Sequence, residues 1–326
     1  MTGRHRILIQ NKNLQYDFEV VRNITIIRGD SATGKTTLID MIGQYERDGD
    51  HSGINLMCDK KCTVLSGLRW KDNLETISDS IVFIDENDRF IVSKDFAEAV
   101  KNSDNYYVLI TRDNLYNLPY SVEEIYGIHA SGRYMDVRKT YNELYRIYST
   151  DIADTNPIPH YIIVEDSNSG YEFFKALSDP KKIKCVSAQG RSNIYHLLLN
   201  EKYELPLIIA DGAAFGCEMN KISELIGQGR KAILYLPESF EWLILKSGLI
   251  DGKRVDNILN APENNIESNE YFSWERYFTK LLTSETEGTY LHYSKEKLND
   301  VFLHAKEKAA IINAMEKAGE IIQNID

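Results

Sequence analysis

Eight consecutive residues, Gly29-Asp30-Ser31-Ala32-Thr33-Gly34-Lys35-Thr36, follow the spacing G-x-x-x-x-G-K-[ST] without exception. The glycines let a backbone wrap a polyanion with φ values that other residues resist. A helix starting at the second glycine aims its unpaired N–H groups at the same anion. The lysine adds a mobile positive charge for the β- and γ-phosphates of a nucleoside triphosphate, and the threonine hydroxyl is a ligand for Mg²⁺. The pattern lies between a β-branched run, Asn23 to Arg28, and a stretch from Gly34 to Tyr45 that sets Leu38, Met41 and Ile42 on one helical face. The sequence therefore predicts a phosphate cradle in which Gly29 to Thr37 bind ATP with Mg²⁺.

A second group ends the apolar run Ile81-Val82-Phe83-Ile84. Asp85 and Glu86 stand where a buried strand delivers its carboxyl end, the edge at which open α/β sheets bind ligands. Asp85 suits a Mg²⁺ ligand beside Thr36, and Glu86 suits a base that orients an attacking water. Arg112, at the end of the run Leu109-Ile110-Thr111, is a candidate γ-phosphate sensor. Lys35, Glu86 and Arg112 are thus the catalytic candidates. The Asp-Glu pair resembles the Walker B ending of ABC-type and related P-loop ATPases of the additional-strand class. Leu65-Ser66-Gly67 lies at a distance similar to that of an ABC signature loop. The resemblance implies a P-loop NTPase domain over residues 1–150, acting as a Mg²⁺-dependent ATPase or as a nucleotide-gated switch.

In the second half, Tyr161-Ile162-Ile163-Val164 delivers Glu165 and Asp166, and Leu207-Ile208-Ile209-Ala210 delivers Asp211. Carboxylates from neighbouring parallel strands build an oxygen-lined Mg²⁺ site. Glu165, the loop Gly190-Arg191-Ser192-Asn193 and Asp211 resemble, in order, the motifs of the Toprim domain found in primases, topoisomerases and OLD-family nucleases. The second Asp of that pattern is Ala213 here, so Glu218, one helical turn on, is the stand-in. The metal set implied is Glu165, Asp211 and Glu218. A competing resemblance is to response-regulator receivers, with Asp166 and Asp211 as the acidic pair and the phosphorylated Asp. Glu238 and Glu241 read as first-turn complements to a helix dipole, with membership of the acidic cluster as the alternative. Lys181, Lys182, Lys184 and Arg191 read as a local basic group fit for a phosphate backbone.

The elements needed to position these residues alternate along the chain. Strands are expected near Arg6–Gln10, Leu14–Val20, Cys62–Leu65, Ser80–Ile84 and Tyr106–Thr111, with helices near Trp70–Ile77 and Asp95–Lys101, and extended segments from Ser121 to Tyr148. A break rich in small polar residues and proline, Ser149 to Pro159, precedes a second alternation. The predicted fold class is α/β: a P-loop NTPase domain, a Toprim-like α/β domain over residues 160–250, and a helical C-terminal region over 251–326, helical from Ser273 to Leu282 and from Lys295 to Ile322.

Composition bounds the function. The 326 residues carry a net charge of −11, which opposes whole-surface attraction to nucleic acid or anionic lipid. No apolar run reaches the roughly 18 residues of a membrane span. Cys58, Cys62, Cys185 and Cys217 show no C-x-x-C spacing and read as free thiols of a cytoplasmic protein. A P-loop ATPase followed by a Toprim-like domain resembles the OLD-family arrangement associated with phage defence. That resemblance implies action on nucleic acid, or control of a protein partner or a second copy that acts on it. The alternative is an ATP-gated scaffold whose C-terminal half only binds proteins.

Overall fold

The computed structural model describes residues 1–29, 34–130, 139–149, 152, 158–200 and 202–325. Asp30, Ser31, Ala32 and Thr33 of the Gly-rich loop lie outside the described residues, as does most of the break before Ile158. The chain divides into two compact units. The first is Met1–Tyr148 with Ala261–Phe272, and the second is Ser149–Asn260 with Ser273–Asp326. Each is a mixed α/β unit, and the second carries the helical C-terminal tail.

The strands of the first unit are β1 (His5–Gln10), β2 (Leu14–Val20), β3 (Ile24–Ile27), β4 (Asn55–Met57), β5 (Lys61–Val64), β6 (Ser80–Ile84), β7 (Tyr106–Ile110), β8 (Ile125–Ala130) and β9 (Thr140–Arg146). Its helices are α1 (Lys35–Asp48), α2 (Trp70–Leu74) and α3 (Lys94–Lys101). The strands form one sheet in the order β4-β1-β2-β9-β8-β3-β7-β6-β5. From β8 to β5 every pairing is parallel, so these strands all end on one edge.

The sequence dictates this split. β3, β6 and β7 are apolar without interruption and buried along their whole length, as strands covered on both faces must be. β1 instead alternates buried and more exposed residues and joins β2 and β4 in an antiparallel wing. On one face of the sheet Ile27, Phe83, Val108 and Ile110 pack with Leu38 and Ile42 of α1. On the other, Trp70 stacks on Phe90 at 4.8 Å and Phe96 meets Tyr107 edge-on at 5.9 Å. The extended region after Ser121 is the antiparallel pair β8 and β9, and β9 runs parallel to β2, which joins the wing to the parallel strands.

The second unit holds β10 (Tyr161–Val164), β11 (Lys184–Ser187), β12 (Pro206–Ile209) and β13 (Ile233–Tyr235), all parallel, in the order β11-β10-β12-β13. Its helices are α4 (Ser169–Ser178), α5 (Arg191–Leu199), α6 (Gly216–Gly227), α7 (Phe240–Lys246), α8 (Lys253–Asn260), α9 (Trp274–Thr286), α10 (Ala305–Ala314) and α11 (Lys317–Gln323). Among the described residues no helix is long and apolar enough to cross a membrane.

The helical stretch expected from Lys295 to Ile322 is realised in its second part, as α10 and α11. It starts only at Ala305 and breaks at Glu316, whose φ of 54° leaves the helical region. Beyond the break, Gly319 packs directly on the carbonyl of Ile312, so a Cβ there would overlap backbone that no rotamer change can move. Gly319→Ala gains up to about 1 kcal/mol of helix propensity but incurs an overpacking cost of about 1–3 kcal/mol. The expected outcome is a lower urea midpoint for Gly319→Ala; a raised midpoint would show that α11 does not depend on this contact.

Candidate functional site

In the first unit the residues singled out by the sequence gather at the carboxyl edge of β3, β7 and β6. Gly34 has φ +89°, and a Cβ there would meet the Tyr16 hydroxyl at 2.7 Å, so both conformation and space demand glycine. That hydroxyl donates to the Gly34 carbonyl at 2.8 Å. α1 then begins at Lys35 with no side chain among the described residues capping its first turn, and a helix start offers donors of the kind that bind anions. Lys35 is buried and its Nζ donates to the Gly29 carbonyl at 2.9 Å, folding back across the Gly-rich loop. Thr36 is exposed and Thr37 half-buried at the same helix start.

Asp85 and Glu86 follow β6. Asp85 accepts from the Glu86 amide at 2.8 Å and from Asn87 Nδ2 at 3.0 Å, which fixes the turn after the strand. Asp88 in that turn accepts from the Gly67 amide at 2.8 Å and so holds the loop after β5 to it. Glu86 and Arg112 come together, with Arg112 Nε 3.3 Å from Glu86 Oε2. That carboxylate oxygen is buried and has no hydrogen-bond partner among the described residues, so its contact with Arg112 is one of charge. β3 and β6 are separated only by β7, whose following loop carries Arg112.

Arg28 was legible in the sequence only as a strand end. It is 6% exposed and donates to the Asp113 carbonyl at 2.9 Å and to the Tyr120 hydroxyl at 3.1 Å, tying the end of β3 to the loop after β7. Its Nε and Nη1 have no hydrogen-bond partner among the described residues. A buried arginine without a carboxylate is costly, and no pattern in the sequence marks it.

In the second unit β10 and β12 are parallel neighbours, and Glu165 accepts from the Asp211 amide at 3.0 Å. The two strand ends therefore adjoin. Glu218 lies elsewhere: it is buried in α6 and pairs with Lys221 at 3.3 Å. Ala213 is buried too, next to Gly212, where a Cβ would run into the backbone of Leu236 and Pro237. Among the described residues no three His, Cys, Asp or Glu side chains are grouped so as to hold a metal ion.

Around Glu165 and Asp211 stand Asp166, which follows β10, Glu241 of α7 and Glu275 of α9, with Lys295 as the opposing cation at Asp211 and Arg191 at Glu165. Lys295 Nζ lies 2.6 Å from Glu275 Oε1 and 3.9 Å from Glu241 Oε1. Glu241 is buried and accepts from the Tyr293 hydroxyl at 2.8 Å, and that hydroxyl is 2.8 Å from Ser169 Oγ. Glu241 stands in the first turn of α7, where a dipole complement stands, and also acts on Asp211 as a member of the acidic cluster. Its first-turn position was legible, but its burial against a tyrosine fifty-two residues on was not. The basic group is also reassigned in part: Lys181 donates to the Gln323 and Ile325 carbonyls at the end of the tail, and Arg191 to the Ala214 carbonyl.

Burial, then the neighbouring Glu275 and Asp166, push the Glu165 carboxyl up to about 7 despite the Asp211 amide. Burial followed by Glu275, Glu165 and Glu241 raises Asp211 well above the usual range. Burial pulls Lys295 down, but Glu241 and Glu275 outweigh it and hold the ammonium charged. The cluster thus concentrates negative charge that is relieved by protons, by Lys295, or by a further cation.

No protein-family model matches the chain, and no curated protein matches it. The functional reading rests on the residues themselves.

The raised Glu165 value fixes the sign of a pH effect. The folded protein keeps this proton up to about pH 7, whereas an ordinary glutamate releases it near 4.5. Its contribution to stability is fully present below the ordinary value and is lost as pH rises through 7. Thermal unfolding should give a lower Tm at pH 8 than at pH 5, and Glu165→Gln should narrow that difference. An unchanged difference in the variant would remove Glu165 as its source.

Proposed function

We propose that the first unit binds ATP with Mg²⁺ and hydrolyses it, and that the second unit couples this to action on nucleic acid, or to control of a partner that acts on it. The observation that carries the reading is the convergence of the Gly-rich loop, Asp85-Glu86 and Arg112 at one edge of parallel strands, with β7 between β3 and β6. Two strand spacings amount to about 9.5 Å. That is room for phosphates and a cation held from both sides, since Mg²⁺ sits about 2.1 Å from its oxygen ligands.

The residues present fit the nucleotide. Gly34 and the start of α1 offer amide donors, Lys35 already spans the loop, and the hydroxyl of Thr36 with the carboxylate of Asp85 is the hard-oxygen donor set Mg²⁺ prefers. When bound, Mg²⁺ supplies charge neutralisation on the transferred phosphoryl group. In this reading Glu86 orients and accepts a proton from water once its carboxylate turns from Arg112, and Arg112 meets the charge that grows on the phosphoryl oxygens. Arg28 positions the loop that carries Arg112.

For the second unit the reading is Toprim-like, with Glu165 and Asp211, whose strand ends adjoin, as the carboxylates and a nucleic-acid phosphate as the anion they would meet through Mg²⁺. A second reading, an ATP-gated scaffold in which this unit binds protein only, is favoured by Lys295, because an ammonium already answers part of the charge that a metal would.

Lys35→Ala removes a charge-assisted contact worth about 1.5–3 kcal/mol, so ATP affinity measured by isothermal titration should fall roughly 10- to 100-fold. Unchanged affinity would sink the assignment. Glu86→Gln should retain ATP binding and slow phosphate release by roughly 10²- to 10⁴-fold, the usual worth of a general base. Undiminished turnover in that variant would leave Glu86 as an ordinary strand-end acid.

A further inference from the structure

The strand β4 and the first residues of β5 carry Cys58 and Cys62 on either side of a tight turn. Both sulfurs gather around one residue: the Lys60 amide donates to Cys58 Sγ at 3.5 Å, and Cys62 Sγ is 3.9 Å from the Lys60 carbonyl. The pair opens onto a surface cavity of about 340 Å³ lined by Tyr45, Glu46, Lys60 and Lys61 as well as by both cysteines. Cys58 is half-buried and reachable from that cavity, whereas Cys62 is buried behind it.

We infer that Cys58 and Cys62 form a redox modification site, converted by a small disulfide such as glutathione disulfide into an intrachain disulfide, with Cys58 attacking and Cys62 resolving. The inference is independent of the nucleotide reading.

The chemistry follows from the surroundings. A thiolate, not a thiol, attacks a disulfide. At Cys58 the negative sulfur is supported by the Cys62 thiol and by the Lys60 amide, so its proton is lost more readily than usual. Asp59, 3.8 Å away, opposes this, but its carboxylate is engaged by His5 Nδ1 at 2.8 Å. The lysines are partly neutralised, Lys60 by Asp79 at 2.5 Å and Lys61 by Glu46 at 3.8 Å. The hydrogen bonds around Cys58 therefore decide which sulfur attacks.

The Cys58 thiolate attacks one glutathione sulfur, the glutathione S–S bond breaks, and the first glutathione leaves as a thiolate that takes up a proton. Cys62 then loses its proton and attacks the Cys58 sulfur. The mixed disulfide breaks, and the second glutathione leaves and is protonated in turn. Two protein thiols are oxidised, one glutathione disulfide is reduced, and both thiol protons end on glutathione.

The cross-link would sit against α1. Cys62 packs in the core with Leu38, Met41 and Ile42, and Glu46 of α1 accepts from the Thr63 hydroxyl and from the Val64 amide. The helix that starts at Lys35 therefore rests on the strand that oxidation would tether.

The test uses the whole wild-type chain, held in glutathione disulfide, acid-quenched, alkylated under denaturing conditions and read by peptide mass spectrometry. The expected result is a peptide joining Cys58 and Cys62 that has lost two hydrogens and takes no alkyl group. Cys185 and Cys217, whose thiols burial pushes up to about 12 and about 11, should remain alkylated and act as internal controls. Cys62→Ser should accumulate a glutathione adduct on Cys58. Alkylation of Cys58 and Cys62 to the same extent as the controls would overturn the inference. So would a glutathione adduct that persists on wild-type Cys58 without closing to Cys62.

Discussion

β3, at four residues no longer than any other strand of the parallel set, is the one on which the first unit turns. Its four residues are wholly buried, hydrogen-bonded to β7 on one side and to β8 on the other, and both neighbours run parallel to it. A parallel strand cannot turn back by a hairpin, so its chain must leave the sheet through a loop and a crossover. Whatever residues end β3, β6 and β7 are delivered to one edge. The Gly-rich loop, Asp85-Glu86 and Arg112 owe their shared edge to that constraint, and α1 owes its start there to the crossover that follows β3.

The same constraint acts in the second unit and gives a different electrostatic outcome. β10 and β12 deliver Glu165 and Asp211 side by side, and the tail contributes Glu275 with the Lys295 that pairs to it. Charge of one sign so close together is unfavourable unless protons or a cation answer it. Lys295 answers part of the charge from within the chain, and the upward displacement of Glu165 and Asp211 is the remainder.

What the sequence made legible were the places where apolar runs end. The strands ending at Gly29, Asp85, Glu165 and Asp211 could be read because a buried parallel strand is a short apolar run, and because glycine and acids do not continue it. The order of those strands could not be read, since hydrogen-bonded neighbours in a parallel sheet are separated by crossovers of no fixed length. Lys295 and Glu275 were out of reach for a related reason: their chemistry arises from packing against residues about a hundred positions away, and as a lysine and a glutamate in a charged tail they look like solvent-facing residues. Arg28 was hidden by its type, because an arginine after β-branched residues ordinarily marks a strand leaving the core. Residues 295–304, expected to be helical, serve the cluster and the turn before α10 instead.

The central claim is that ATP with Mg²⁺ binds at the edge shared by β3, β7 and β6. Amide hydrogen exchange of the whole protein, with and without ATP and Mg²⁺, tests it residue by residue. The account predicts new protection concentrated in residues 29–37, with smaller effects at 85–88 and around Arg112. Protection confined to other parts of the chain, or none at saturating nucleotide, would contradict it.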